Sequence, residues 1–168
     1  MENSLKQILK EQSLILFQNI NATLEHIDDR WLTTTGFKWL PWKQLYHVIH
    51  SLDQWFINPY VYTHPEFHTP GLNSLADTNY DKHLSKEELQ TYYEKVRQKV
   101  TTYLDSIDVT SLIEKPDNCQ FTRFALILGQ IRHTSYHIGF LHCCMYRDYE
   151  KLPVFKGLGP PMEPVKTE

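Results

Sequence analysis

Four stretches of the chain repeat apolar residues every three or four positions, and this spacing restricts the possible folds more than any other feature. The first stretch runs from about residue 4 to residue 27 and has the period of an amphipathic helix. The second begins at Pro41, which suits a first helical position, and ends before Pro59. No stretch shows the strict alternation of a half-buried strand. The sequence therefore predicts an all-α four-helix bundle with long connections.

The third helix is predicted to begin at a capping box, Ser85-Lys86-Glu87-Glu88, because its serine and glutamate can each bond the other's backbone N–H. Its charged residues predict a solvated face. The residues predicted for its buried stripe are Leu89, Tyr93, Val96, Val100, Tyr103, Leu104 and Ile107. The fourth helical run is predicted from about residue 119 to residue 149. Its residues available for core contacts are Phe121, Phe124, Leu128, Ile131, Ile138 and Leu141.

Length and charge limit the organisation and partners of the chain. Its 168 residues fit a single domain, 1–168, with an irregular proline- and glycine-rich tail from about residue 152. With a net charge of -3, the chain lacks the excess of basic residues that is typical of nucleic-acid-binding proteins, so we expect no nucleic-acid partner. The amino terminus lacks the pattern of a signal peptide, and no run reaches the roughly 18 apolar residues of a membrane span. We therefore expect a cytoplasmic protein with no membrane partner and with reduced cysteines.

Two histidines in the fourth helical run, His133 and His137, stand four residues apart and share a helix face. Neutral imidazoles so placed can both bind one divalent transition-metal ion. A third ligand must come from elsewhere, and the second helix offers His47 and His50, which spacing alone does not separate. The simpler interpretation is a pair of surface or satisfied core histidines, because nine histidines make chance spacings common.

Other candidate ligands are weaker. His142 lies about 140° around the helix from His137, so it is predicted to be a structural or surface residue. Cys144 returns to the face of the pair, but it lies roughly 10 Å along the helix, too far to bind the same ion, although it could line a pocket. His64 and His68 fall in a long proline-containing connection that reaches Lys82, and its aromatic residues predict an ordered lid. They are weak metal candidates.

These motifs and their order resemble the DinB-like (DinB/YfiT) superfamily of small four-helix proteins. The matching residues are Pro41-Trp42 leading to His47, Asp53, Leu84-Ser85-Lys86-Glu87-Glu88-Leu89 and Arg132-His133-Thr134-Ser135-Tyr136-His137-Ile138-Gly139. The resemblance implies that His47, His133 and His137 bind a divalent ion, zinc or nickel, and it favours His47 over His50. Phe140 stands where the family often has glutamine, and Tyr136 where it often has a polar residue, so the pocket chemistry is expected to differ.

Three neutral histidines are typical of catalytic zinc sites, which keep positions open for water or substrate. A bound ion would lower the pKa of a bound water or thiol, which suits a metal-dependent hydrolase or transferase. Similar proteins include thiol S-transferases, so the resemblance implies the second of these, with a small-molecule substrate used with a low-molecular-weight thiol. The alternative is a non-catalytic metal-binding or protein-interaction bundle.

No general acid or base can be named from the sequence. Asp53, Gln54, Gln130 and Tyr136 are polar residues near the histidines along the chain, and Asp53 is expected mainly as a structural hydrogen-bond acceptor. The tryptophan and tyrosine content, together with pairing in the family, also predicts a homodimer.

Overall fold

The structure is a computed structural model that describes residues 2–34, 40–76 and 83–157. These residues form α1 (Glu2–His26), α2 (Asp29–Leu32), α3 (Pro41–Trp55), α4 (Lys86–Ser106) and α5 (Arg123–Tyr149), with a 3-10 helix at Val109–Ile113. Since none of the described residues forms a strand, the all-α prediction is confirmed. Within the same ranges, no helix combines the length and the apolar character that crossing a membrane requires.

The four long helices form a bundle in which α1 and α3 occupy opposite corners, because each of them packs against both α4 and α5. The apolar residues of α3 recur at helical spacing and form a stripe that lies in the core, where Trp42, Leu45, Ile49 and Leu52 are at most 1% exposed. Burying one such side chain stabilises the fold by about 1.5–3 kcal/mol. With this stripe anchored in the core, the flank of α3 that carries His47 lies against α5.

Helix boundaries follow from capping, and one of them corrects the sequence prediction. The capping box of α4 is present: Ser85 N donates to Glu88 Oε2 at 2.8 Å, and Glu88 N donates to Ser85 Oγ at 3.2 Å. In contrast, α5 begins at Arg123 and not near residue 119. Thr122 caps this helix by accepting from Ala125 N at 3.2 Å, and Asn118 has a left-handed φ of 59° that is incompatible with a helix.

Two residues predicted for the core of the fourth helix are exposed. Phe121 precedes the first turn of α5, and Leu128 lies on the outer face of the helix; each is 43% exposed. Ile138 and Leu141 are buried as predicted. The charged face of α4 is exposed as predicted at Glu87, Lys95 and Lys99, and Lys99 also pairs with Asp53 of α3. These differences arise because a periodic stripe gives the faces of a helix and not the neighbours that cover them.

The connection after α3 packs back on that helix over its described part, residues 56–76. Tyr62 donates to the Asp53 carboxylate at 2.8 Å, which holds the start of this segment against α3. The predicted lid extends to Lys82, and residues 77–82 lie outside the described residues. The tail is described over residues 152–157, which form no helix or strand, and Lys156 N donates to Asn19 Oδ1 of α1 at 2.7 Å. The rest of the predicted tail lies outside the described residues.

Candidate metal centre

Three histidines from two helices meet where α3 packs against α5. His47 lies on α3, and His133 and His137 lie one turn apart on α5. The Nε2 atom of His133 is 3.1 Å from Nε2 of His47 and 3.1 Å from Nε2 of His137. The structure therefore brings together the residues that the resemblance implied. We call these three residues the helix triad.

Two of the three rings are oriented by hydrogen bonds from their other nitrogen. Nδ1 of His47 lies 2.7 Å from the backbone carbonyl of Asn73. Since a carbonyl can only accept, Nδ1 carries the proton, and Nε2 keeps its lone pair. Nδ1 of His137 lies 2.9 Å from Oε1 of Gln44, an acceptor with the same effect. Outer partners of this kind set the tautomer and orientation of metal-binding histidines.

The surroundings of the helix triad lower the pKa of all three histidines and so favour their neutral form. Burial, together with the neighbouring histidines, lowers the pKa of His133 and of His137 to about 4. Burial also lowers the pKa of His47, and the Lys43 charge acts in the same direction, whereas the bond to Asn73 opposes them. At 3.1 Å from the Nε2 atom of His133, the lone pairs on Nε2 of His47 and of His137 are close enough for a proton or a cation to lie between the nitrogens.

The nitrogen spacing fits a small transition-metal ion. With Zn–N bonds of about 2.05 Å, two nitrogens on one ion lie about 2.9 Å apart at a right angle and about 3.3 Å apart at a tetrahedral angle. The 3.1 Å separations fall between these values. Imidazole donors favour zinc, nickel and copper over magnesium and calcium, which prefer oxygen. The helix triad could therefore hold one such ion.

Comparison with known proteins identifies the family of the chain. The model of the DinB superfamily matches residues 16–141, which is most of the chain. The chain belongs to the DinB superfamily. No curated protein and no solved structure shows significant similarity to it. The match includes all three histidines of the helix triad.

In this DinB-superfamily chain, His47 and not His50 meets the α5 pair. Nε2 of His50 lies 3.0 Å from Nδ1 of His64, in the connection after α3. His142 is buried and bonds Oγ1 of Thr23 at 2.9 Å, so its predicted structural role is confirmed. Cys144 does not line a described cavity and packs in the hydrophobic core.

Among the polar residues near the histidines along the chain, Asp53 and Gln130 have hydrogen-bond partners outside the helix triad. Asp53 Oδ2 accepts from Tyr62 and from Tyr92, each at 2.8 Å, which is a structural role. Gln130 accepts from Ser51 at 2.9 Å. Tyr136 contacts the His137 ring edge-on at 5.1 Å between centroids, but its side chain is 72% exposed.

Sequence reasoning missed the two groups that orient the helix triad. Gln44 precedes His47 by three residues, so helical spacing places both on one side of α3 and could have identified it. The Asn73 carbonyl belongs to the backbone, and a backbone acceptor has no signature in the sequence. Only the path of the connection after α3 brings it to His47.

We expect Gln44→Met to weaken zinc binding roughly 10- to 100-fold, because methionine keeps the volume and removes the acceptor for His137 Nδ1. Calorimetric titration of the metal-free protein would measure this change. Gln130→Met is the matched control, since it removes a hydrogen bond to Ser51 and none to the helix triad. Equal affinity in Gln44→Met and the natural protein would contradict the orienting role.

Proposed function

We propose that His47, His133 and His137 bind one divalent transition-metal ion, zinc or nickel, and that the protein is a metal-dependent enzyme acting on a small molecule. One observation carries this proposal: the Nε2 atom of His133 lies 3.1 Å from the Nε2 atoms of both other histidines, and one ligand atom from each ring lies within 4.8 Å of the others. A closed structural zinc site has four protein ligands, whereas this group contains three histidines among the described residues. Positions for a small ligand would therefore stay open.

A bound ion supplies Lewis acidity, which favours the deprotonated form of a thiol or a water molecule. The protein contributes access and charge. His47 and His133 are only half-buried, so a small molecule can approach from solvent. The Lys43 charge, which opposes protonation of His47, would also favour an anionic ligand such as a thiolate. Gln44 and the Asn73 carbonyl hold two of the rings in place.

The proposed reaction is transfer of a low-molecular-weight thiol, with hydrolysis as the related possibility. In the transfer, the thiol gives its proton to solvent, and its sulfur forms a bond to an electrophilic carbon. The leaving group departs with the electron pair of the bond that breaks. In hydrolysis, water takes the place of the thiol. No carboxylate is bonded to the helix triad in the described ranges, so the catalytic acid and base stay unassigned.

A second candidate is a non-catalytic metal-binding or protein-interaction bundle. One observation favours it: a cavity of about 660 Å³ lies between the connection after α3 and α4, and no histidine of the helix triad lines it. A substrate in that cavity would not touch the proposed ion.

Two further parts of the proposal concern assembly and location. Leu128, Tyr136 and Tyr146 are exposed on α5 and support a homodimer. The three cysteines of the chain are free thiols, which supports a reducing compartment such as the cytoplasm.

We expect the zinc- or nickel-loaded protein, purified without an affinity tag, to consume low-molecular-weight thiols in the presence of alkyl halides, whose halide is the leaving group. Thiol loss is followed with a chromogenic disulfide, and ester hydrolysis is assayed in parallel. Metal-free protein and His133→Ala are the controls, and both should be inactive. A protein that binds one ion at the helix triad but shows neither reaction would support the non-catalytic candidate.

A further inference from the structure

A second group of three histidines lies outside the helix triad. His50 on α3 meets His64 and His68 of the connection that follows, and one nitrogen from each lies within 4.8 Å of the others. His50 is 1% exposed, and its Nε2 atom is 3.0 Å from Nδ1 of His64. We call these three residues the loop triad. It joins a rigid helix to a segment without regular structure.

Two members of the loop triad, His50 and His68, are in surroundings that favour the neutral ring, which offers a nitrogen lone pair. Burial and the neighbouring histidines lower the pKa of His50 to about 3, and burial and His64 lower that of His68. Among the described contacts, no carboxylate is bonded to these rings that would balance a protonated histidine. Tyr46 bonds Nδ1 of His68 at 2.6 Å, so one nitrogen of that ring already has a partner. An imidazole-only site of this kind suits borderline transition metals and not magnesium or calcium.

We propose that His50, His64 and His68 form a second binding site for a divalent transition-metal ion of the zinc, nickel and copper class. The present ring arrangement must change for this ion to bind. The three rings are stacked, with interplanar angles of 7° for His64 with His68 and 13° for His50 with His64. Imidazole lone pairs lie in the ring plane, so stacked rings cannot all point at one ion.

The rings that must turn for the ion to bind are those of His64 and His68. His64 is exposed and His68 half-buried on the connection, whereas His50 is fixed in α3. Turning the two loop rings costs free energy. The helix triad needs no such movement, since the Nε2 atom of His133 already lies 3.1 Å from those of His47 and His137. The second site should therefore bind zinc at least about 10-fold more weakly than the first, a difference of about 1.4 kcal/mol.

Binding at the loop triad would also act on the helix triad. The connection that carries His64 and His68 continues to Asn73, whose carbonyl orients His47. An ion joining these histidines to His50 would pin the segment to α3 one helical turn from His47. It would thus restrict the movement of Asn73 and support the ring of His47. This coupling rests on the proposed metal site at the helix triad, whereas the existence of the second site does not.

Zinc stoichiometry tests the proposal. The tag-free protein is stripped with a chelator, titrated with zinc chloride in a calorimeter and analysed for zinc after equilibrium dialysis. We expect two ions per chain, one tight and one weaker. The double variant His64→Ala/His68→Ala should lose only the weaker ion, and His133→Ala should lose only the tight one. His26→Ala removes an exposed histidine that belongs to neither triad and should keep both ions.

The outcomes separate this inference from the proposed function. One ion in the natural protein, retained in His64→Ala/His68→Ala and lost in His133→Ala, would overturn the second site and leave the first. Two ions in the double variant would overturn it as well. If His64→Ala/His68→Ala loses an ion but His133→Ala binds as many ions as the natural protein, the second site would stand and the helix triad would be overturned as a metal site. Hydrogen exchange of the peptide covering residues 60–76 should slow on addition of the second equivalent, and not in the double variant.

Discussion

Replacing His133 with alanine should abolish stoichiometric metal binding at the helix triad. Its Nε2 atom lies 3.1 Å from the Nε2 atoms of both other histidines, so its loss removes the central donor of the group. Losing an outer partner typically costs roughly 10- to 100-fold in affinity, and the loss of a direct ligand should exceed about 100-fold. Elemental analysis and calorimetric titration of the tag-free protein would measure the change. His137→Ala should behave in the same way.

The choice between the two α3 histidines sharpens this experiment. His47→Ala should weaken the tight site as strongly as His133→Ala, whereas His50→Ala should leave that site nearly intact. Thermal unfolding of each metal-free variant would show that the fold persists, and His26→Ala serves as the neutral control. Unchanged metal content in both His133→Ala and His137→Ala would remove the helix triad as a metal site. If His50→Ala loses tight binding while His47→Ala keeps it, the α3 ligand of the site would be His50, one helical turn from His47.

Replacing Asp53 with alanine should lower the free energy of unfolding by about 3 kcal/mol. The Asp53 carboxylate accepts from the hydroxyls of Tyr62 and Tyr92 and pairs with Lys99. Its side chain is 12% exposed, whereas that of Lys99 is 41% exposed, so the two tyrosine bonds should contribute most of the effect. For a chain of this length, the midpoint of thermal unfolding should fall by roughly 6–12 °C. Calorimetry or circular dichroism would measure it.

The same variant tests the role of Asp53 in the metal site. Because none of its described bonds reaches the helix triad, zinc affinity at the tight site should change by less than roughly 3-fold. Asp53→Asn is the matched comparison, since the amide oxygen still accepts from a tyrosine, and its loss of stability should be about half as large. A normal unfolding temperature combined with a 10-fold or greater loss of zinc affinity would reverse the assignment, from a structural acceptor to a support of the metal site.

Local features of the fold were predictable from the sequence because their partners lie within one or two helical turns. The Ser85 to Glu88 capping box and the buried stripe of α3 follow from interactions over three or four residues. The start of α5 was predicted too early along the chain because apolar residues also precede the cap at Thr122. Helical spacing likewise could not show that Phe121 and Leu128 have no covering neighbour.

For the candidate site, the sequence by itself determined that His133 and His137 share a face of one helix, since a helix places residues four apart on the same side. The choice of His47, which the family resemblance had favoured, required α3 to pack beside α5. Tertiary structure alone brought the Asn73 carbonyl to His47 and gathered His64 and His68 around His50. Such contacts depend on how an irregular segment folds back over a helix. Its backbone groups and turns carry no periodic signal, so distant packing decides where they lie.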